Sequence, residues 1–223
     1  MRDEYARALL TRFRKRLSVF VYPLARILAH KCRNPNTVTL TGLAIAMITP
    51  LAAWIYPTLL PLLIALSAYM DALDGAIARL TGRVTRFGAV LDSFCDRVEE
   101  LCYLISLALL GLNALLIIVA IATSYLISYL RALGELRGVK MEGVGLFERG
   151  ERITVLLIIA ALVAFVHTSR TLFIATLILA AMIALNVVTI AQRISHIHKS
   201  LQLMERATLS TAREPSSSSR TQV

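Results

Sequence analysis

The sequence predicts an all-α integral membrane protein, with six transmembrane helices preceded by an amphipathic juxtamembrane helix. Three observations predict it. Of 223 residues, 57% are hydrophobic and 17% charged, well below the roughly 25% charge of soluble domains, and mean hydropathy is +0.69. Six stretches approach the length of about 20 apolar residues that a helix needs to cross a bilayer. Lys and Arg gather in alternate connections, which is the mark of the cytoplasmic side. A water-soluble domain is excluded by that composition. A disulfide-stapled secreted module is excluded too, because Cys32, Cys95 and Cys102 make no framework and no zinc-ligand pairs.

Taken in order, residues 1–33 form a cytoplasmic juxtamembrane segment. Between Ala6 and Lys31, Arg and Lys alternate with Leu, Phe, Val and Tyr at helical spacing, which predicts an amphipathic helix lying among anionic headgroups. No compact apolar core with a small-residue cleavage site follows the basic start, so it does not read as a signal peptide. Residues 34–196 form the membrane domain. The first span is predicted at 38–56 and the second at 59–80, with Pro57 and Pro61 breaking the chain between them. The remaining four are predicted at 88–110, 113–134, 153–166 and 172–192. Residues 197–223 read as a polar, disordered cytoplasmic tail that ends Ser-Ser-Ser-Ser-Arg-Thr-Gln-Val.

Charge fixes the orientation. The turns at 56–61 and 111–113 carry no basic residue, and 167–170 carries one, Arg170. The opposite connections carry Arg83 and Arg86, then five basic residues from Arg131 to Arg152, and five more follow the last span. Both termini are therefore expected in the cytoplasm. The net charge of +10, from 24 Lys+Arg against 14 Asp+Glu, is largely accounted for by these connections and the N-terminal segment.

Four carboxylates break the apolar pattern together. Asp71 and Asp74 lie near the end of the second predicted span, and Asp92 and Asp96 near the start of the third. Ionisable groups inside a span are costly and mark function by default. At i,i+3 and i,i+4, each pair projects from one face of its helix. The short 80–87 connection makes the two helices antiparallel neighbours, so all four carboxylates converge at one depth just inside the cytoplasmic interface. Four such charges repel unless cations compensate them, and oxygen-only ligands point to Mg²⁺ or Mn²⁺. Gly75, Ala78 and Gly88 leave room nearby, and Arg79 adds a fixed cation suited to a polyphosphate.

The run Asp71-x2-Asp74-Gly75-x2-Ala78-Arg79-x8-Gly88-x3-Asp92-x3-Asp96 resembles the CDP-alcohol phosphotransferase signature, and fills all eight of its fixed positions over 26 residues. The segment from Asn34 to Thr39 is similar to the stretch by which that family enters its first span. The resemblance implies a juxtamembrane helix, six spans and a homodimer. It also implies transfer of a phosphatidyl-type group from a CDP-linked lipid to an alcohol with release of CMP, assisted by two Mg²⁺ ions that Mn²⁺ can replace. By the same resemblance, Asp71, Asp74 and Asp92 are metal ligands. Asp96 is the general base and also touches a metal. Asn34, Pro35, Asn36, Thr37, Gly75, Arg79 and Thr85 contact the CDP-lipid, although Thr85 serves equally as a loop-capping threonine.

The acceptor is read from residues outside the motif. Ser-Tyr-Leu-Arg131-Ala-Leu133-Gly-Glu and Glu148-Arg149-Gly-Glu-Arg152 resemble the corresponding stretches of members that use inositol phosphate. That resemblance makes Arg131, Arg149 and Arg152 the expected cations for the acceptor's phosphate, with inositol 1-phosphate as acceptor. Leu133 departs from the Arg those members carry. Glycerol 3-phosphate and serine therefore remain as alternative acceptors. Another class of reading is an ion-coupled transporter, since intramembrane aspartates also line ion paths. The grouping of all four aspartates toward the loop side argues against it, because transporter sites lie near the midplane. A nucleic-acid partner is not expected: the basic N-terminal segment has no aromatic interleaving or base-reading motif.

Overall fold

The computed structural model describes residues 21–29 and 34–212. Most of the predicted juxtamembrane helix and the end of the tail lie outside these residues. The described part of that segment, 21–29, is helical. Its Val21 and Ala25 are buried with Val38, Leu73, Ala76 and Ile77, so one face of this stretch packs onto the first two long helices.

Helix α1 (Pro35–Ile55) starts where Asn34 caps it, the Asn34 Oδ1 accepting from the Asn36 N–H at 3.1 Å with Pro35 in the first turn. A 3₁₀ turn (Pro57–Leu59) leads into α2 (Leu60–Thr81), which Gly82 ends in the left-handed conformation at φ 65°. Thr85 then caps α3 (Arg86–Leu109), its hydroxyl oxygen accepting from the Gly88 N–H at 2.9 Å. Asn113 caps α4 (Ala114–Leu136) through the N–H groups of Leu115 and Leu116. A reciprocal Glu148–Glu151 capping box opens α5 (Arg149–Phe165), and α6 (Ser169–Ala212) is the last. The described residues are all-helical; α1–α5 begin and end close to the first five predicted stretches, whereas α6 runs well past the end of the sixth.

Four of these segments are long and apolar enough to cross a membrane: Pro35–Ile55, Pro57–Thr81, Ala114–Leu136 and Ser169–Arg206. The other two fall short for identifiable reasons. Helix α3 carries Asp92, Asp96, Arg97, Glu99 and Glu100 within its length. Helix α5 has 17 residues, about 25 Å of rise, against a hydrocarbon core of about 30 Å.

The chain divides into two units, cut within α4 and within α6. The first holds the chain up to Ala122 together with Glu148–Ile183. In it, α1 packs on both α2 and α3 along small buried residues, Gly42, Ala46, Thr49 and Ala53. Lipid supplies no hydrophobic drive between helices, so close backbone approach and interhelical hydrogen bonds must hold them. Gly42 shows the fit: a Cβ there would lie 3.1 Å from Met70 Cβ, and the Ser67 hydroxyl donates to its carbonyl at 2.9 Å. One level along, the Ser106 hydroxyl donates to Thr49 Oγ1.

The second unit holds Thr123–Phe147 and the chain from Ala184 onward. One polar face of α6 holds the backbone of the 137–147 loop. Arg193 donates to the Val144 and Ile127 carbonyls, Thr189 Oγ1 accepts from the Phe147 N–H, and Gln192 Oε1 accepts from the Leu146 N–H. Gly145, at φ 117°, admits the contact, since a Cβ would stand 2.6 Å from Thr189 Cγ2.

Residues 197–212, which the sequence assigns to a disordered tail, instead continue α6 as far as Ala212. That stretch contains neither Gly nor Pro, carries the helix formers Leu201, Gln202, Leu203, Met204, Glu205 and Arg206 in a row, and has Gln202 bonded to His198 one turn back.

Candidate active site

The two aspartate pairs meet as the helix pairing requires. Ligand atoms of Asp71, Asp74 and Asp92 all lie within 4.8 Å of one another, and so do those of Asp71, Asp96 and Glu99. Asp71 belongs to both groups and joins them. On α3, Asp92, Asp96, Glu99 and Tyr103 recur every three or four residues, so one stripe delivers the carboxylates from that side.

Arg149, in the first turn of α5, enters this cluster. Its Nη1 lies 2.6 Å from Asp71 Oδ2 and 2.9 Å from Asp96 Oδ1, while its Nη2 lies 2.8 Å from Glu99 Oε2. Arg97 adds a weaker contact to Asp96 Oδ2 at 3.5 Å. Five carboxylates thus share these two cations within one packed unit. Repulsion among them is strong where water is scarce, because effective dielectric falls.

The donor set fits hard divalent cations. All the cluster's acidic donors are carboxylate oxygens, the ligand type Mg²⁺ and Mn²⁺ select. Asp74 Oδ2 and Asp96 Oδ1 are buried and accept no hydrogen bond from any described residue, the latter despite its ion-pair contact with Arg149. Such lone pairs are costly in a protein interior without a donor or an ion.

Around the cluster, the expected nucleotide-side residues sit at the ends of α1, α2 and α3. The Asn36 Oδ1 and the Thr85 Oγ1 both abut Gly88, where a Cβ would come within 3.2 and 2.9 Å of them. Gly75 likewise gives room to the Arg79 guanidinium, whose Nη1 would be 3.3 Å from a Cβ. Asn34, Thr37, Arg79 and Thr85 are exposed, Asn36 and Gly75 are half-buried, and Pro35 is buried. Thr85 spends its hydroxyl oxygen on capping α3.

The three expected acceptor cations occupy three different settings. Arg149 is within the acid cluster. Arg131 lies in the second unit, half-exposed and paired with Glu135 at 2.9 Å. Arg152 is the correction: 2% exposed, it grips Glu100 with Nε at 2.7 Å and Nη2 at 2.9 Å, which leaves no face for an incoming phosphate. This two-pronged pair fastens α5 to α3. Arg152→Met takes this buried cation away from the Glu100 carboxylate and is expected to cost about 3–5 kcal/mol of stability. Thermal unfolding in detergent checks this, and a normal melting temperature with a selective rise in acceptor KM would contradict it.

Sequence reasoning missed Glu99 and Glu100. The signal was present, since Glu99 follows Asp96 by three positions and Asp92 by seven on the same stripe. The arginines at 149 and 152, one helical turn apart, meet these two adjacent glutamates.

The sequence pattern of the CDP-alcohol phosphatidyltransferase family matches residues 33–195, which include every residue of this cluster. The chain belongs to that family. This CDP-alcohol phosphatidyltransferase is 41% identical over 141 residues to the archaetidylinositol phosphate synthase of Aeropyrum pernix, covering 62% of this chain and 72% of that one. It is 36% identical over 200 residues to the phosphatidylinositol phosphate synthase of Mycolicibacterium smegmatis, covering 82% and 86%. Among solved structures, it resembles the Mycobacterium tuberculosis phosphatidylinositol phosphate synthase with CDP-DAG bound, at a TM-score of 0.66 and 25% identity over 91% of this chain and 98% of that one. The same enzyme in complex with manganese and citrate matches at a TM-score of 0.65 and 28% identity, over 79% and 88%. The chain is therefore a transferase of phospholipid biosynthesis, similar to phosphatidylinositol phosphate synthases, and the transporter reading falls away.

Proposed function

We propose that this CDP-alcohol phosphatidyltransferase moves a phosphatidyl or archaetidyl group from a CDP-linked lipid to inositol 1-phosphate and releases CMP. The observation that carries this reading is the convergence of Asp71, Asp74, Asp92 and Asp96 around Arg149. Asp71, Asp74 and Asp92, with Asp96, would hold two Mg²⁺ ions, for which Mn²⁺ can substitute. When bound, those ions neutralise charge on the pyrophosphate and on the departing CMP. Manganese in a structurally similar enzyme supports this choice.

The remaining work belongs to the chain. Asn34, Pro35, Asn36 and Thr37 at the start of α1, with Gly75, Arg79 and Thr85, receive the CDP part of the lipid. Arg79, folded over Gly75, offers its guanidinium fork to a phosphate. As the acceptor oxygen forms its bond to the β-phosphorus, Asp96 takes the hydroxyl proton and the bond to CMP breaks. Arg149 stands 2.9 Å from Asp96, so an anionic acceptor drawn to this guanidinium brings its hydroxyl close to the base. Arg152 acts only by fastening α5.

All six helices α1–α6 span the membrane in this reading, with both termini and the acid cluster on the cytoplasmic side. The distribution of Lys and Arg supports the orientation. The working form is a homodimer, as the resemblance implies.

An acceptor panel tests the assignment. Inositol 1-phosphate should react fastest, glycerol 3-phosphate more slowly because it lacks the polyol contacts, and free inositol and serine poorly. Arg149→Gln should raise the acceptor KM about ten- to a hundredfold, since a charge-assisted hydrogen bond is worth roughly 1.5–3 kcal/mol. The KM for the CDP-lipid should change much less. Preference for serine or free inositol would remove Arg149 from the acceptor site and leave the aspartate chemistry standing.

A further inference from the structure

Glu99 is a buried carboxylate that the chemistry above does not use. Its side chain is 2% exposed, and its Oε2 holds Arg149 Nη2 at 2.8 Å. The other terminal nitrogen of the same guanidinium faces Asp71 and Asp96. Arg149 is thus divided between two carboxylates assigned to metal ions and one that is not. Gly42 makes the space for that third carboxylate, because a Cβ there would stand 3.3 Å from Glu99 Oε1. The Ser67 hydroxyl fixes the same point of α1 by donating to the Gly42 carbonyl.

Building on the metal-dependent reading, we propose that Glu99 is a positioning residue, the fixed counter-charge that anchors Arg149 so that Asp71 and Asp96 are free to turn to metal ions. A buried guanidinium needs a carboxylate partner, and losing it is costly. With Glu99 in place, Arg149 keeps a partner whatever Asp71 and Asp96 do, and its Nη1 stays beside the reacting centre. Without Glu99, the guanidinium competes with the ions for Asp71 and Asp96. The rival role for Glu99 is direct ligation, since its carboxylate also lies within 4.8 Å of those of Asp71 and Asp96.

Mn²⁺ binding to the full-length protein in detergent, measured by electron paramagnetic resonance, separates these roles. Glu99→Gln should weaken Mn²⁺ binding about tenfold or more, as expected when a nearby charge pair is unbalanced. Adding Arg149→Gln should restore affinity to within about threefold of wild type, the non-additivity that a shared interaction produces. Adding Arg97→Gln instead removes an equal charge beside Asp96 and should restore nothing. The anchoring role is overturned by wild-type affinity in Glu99→Gln, by a Glu99→Gln/Arg149→Gln double variant as weak as the single, or by equal rescue from Arg97→Gln. Glu99→Asp, which keeps the charge and shortens the reach, carries the same comparison with Arg149→Gln if Glu99→Gln does not fold. Failure of the wild type to bind Mn²⁺ would remove the metal-dependent reading and this proposal together, whereas the variant outcomes bear on Glu99 alone.

Discussion

Asp71→Asn and Asp92→Asn should each lower CMP release by about a thousandfold or more, the scale on which a single preorganised electrostatic contact to a transition state counts, multiplied by the loss of the ion it holds. Asp71 should be the more severe of the two. Its carboxylate belongs to both ligand groups, the one with Asp74 and Asp92 and the one with Asp96 and Glu99, and it also binds Arg149 at 2.6 Å. Replacing it by an amide therefore disturbs every part of the site, while Asp92→Asn touches one group. Initial rates at saturating Mg²⁺ with the purified protein check this. Activity within tenfold of wild type in Asp71→Asn would show that the cluster is not where the ions act.

Asp96→Asn should behave differently. Removing a general base costs roughly 10²–10⁴-fold in turnover. Asp71, Asp74 and Asp92 remain close enough to share an ion. The variant is therefore expected to lose kcat while keeping most of its affinity for the CDP-lipid, a pattern that marks an interaction made only in the transition state. Equilibrium binding of the CDP-lipid beside single-turnover kinetics separates the two effects. A parallel collapse of binding and turnover would make Asp96 a ligand first.

The structure shows which features a single sequence makes legible. Helices α1, α2 and α4 read directly, because their apolar runs are bounded by caps and breaks with clear local chemistry: Asn34-Pro35, Pro57, Gly82 and Asn113. The aspartates were legible for a related reason, since spacing along two helices joined by a short turn leaves their carboxylates little choice but to meet. The end of α6 was harder to read. Polarity after residue 196 suggests disorder, but helix propensity without Gly or Pro carries the chain on to Ala212.

The arginines show where pattern stops. Arg149 and Arg152 look alike in sequence, one turn apart at the start of a helix, and both carry a charge suited to a phosphate. Packing gives one of them to Glu100 in a buried two-pronged pair and places the other among Asp71, Asp96 and Glu99. That partition depends on which face of α3 meets α5, a long-range contact that no local spacing encodes. Glu99 was hidden for the same reason: its place on the aspartate stripe was visible, but its pairing with a residue 50 positions away was not.

CMP release under metal control tests most directly whether this carboxylate cluster uses divalent metal to transfer a lipid phosphoryl group to a phosphorylated polyol. The purified protein, given a CDP-linked lipid and inositol 1-phosphate, should release CMP with Mg²⁺ or Mn²⁺, stop when EDTA is added in excess, and resume when either ion is returned. Undiminished CMP release in EDTA would contradict the account.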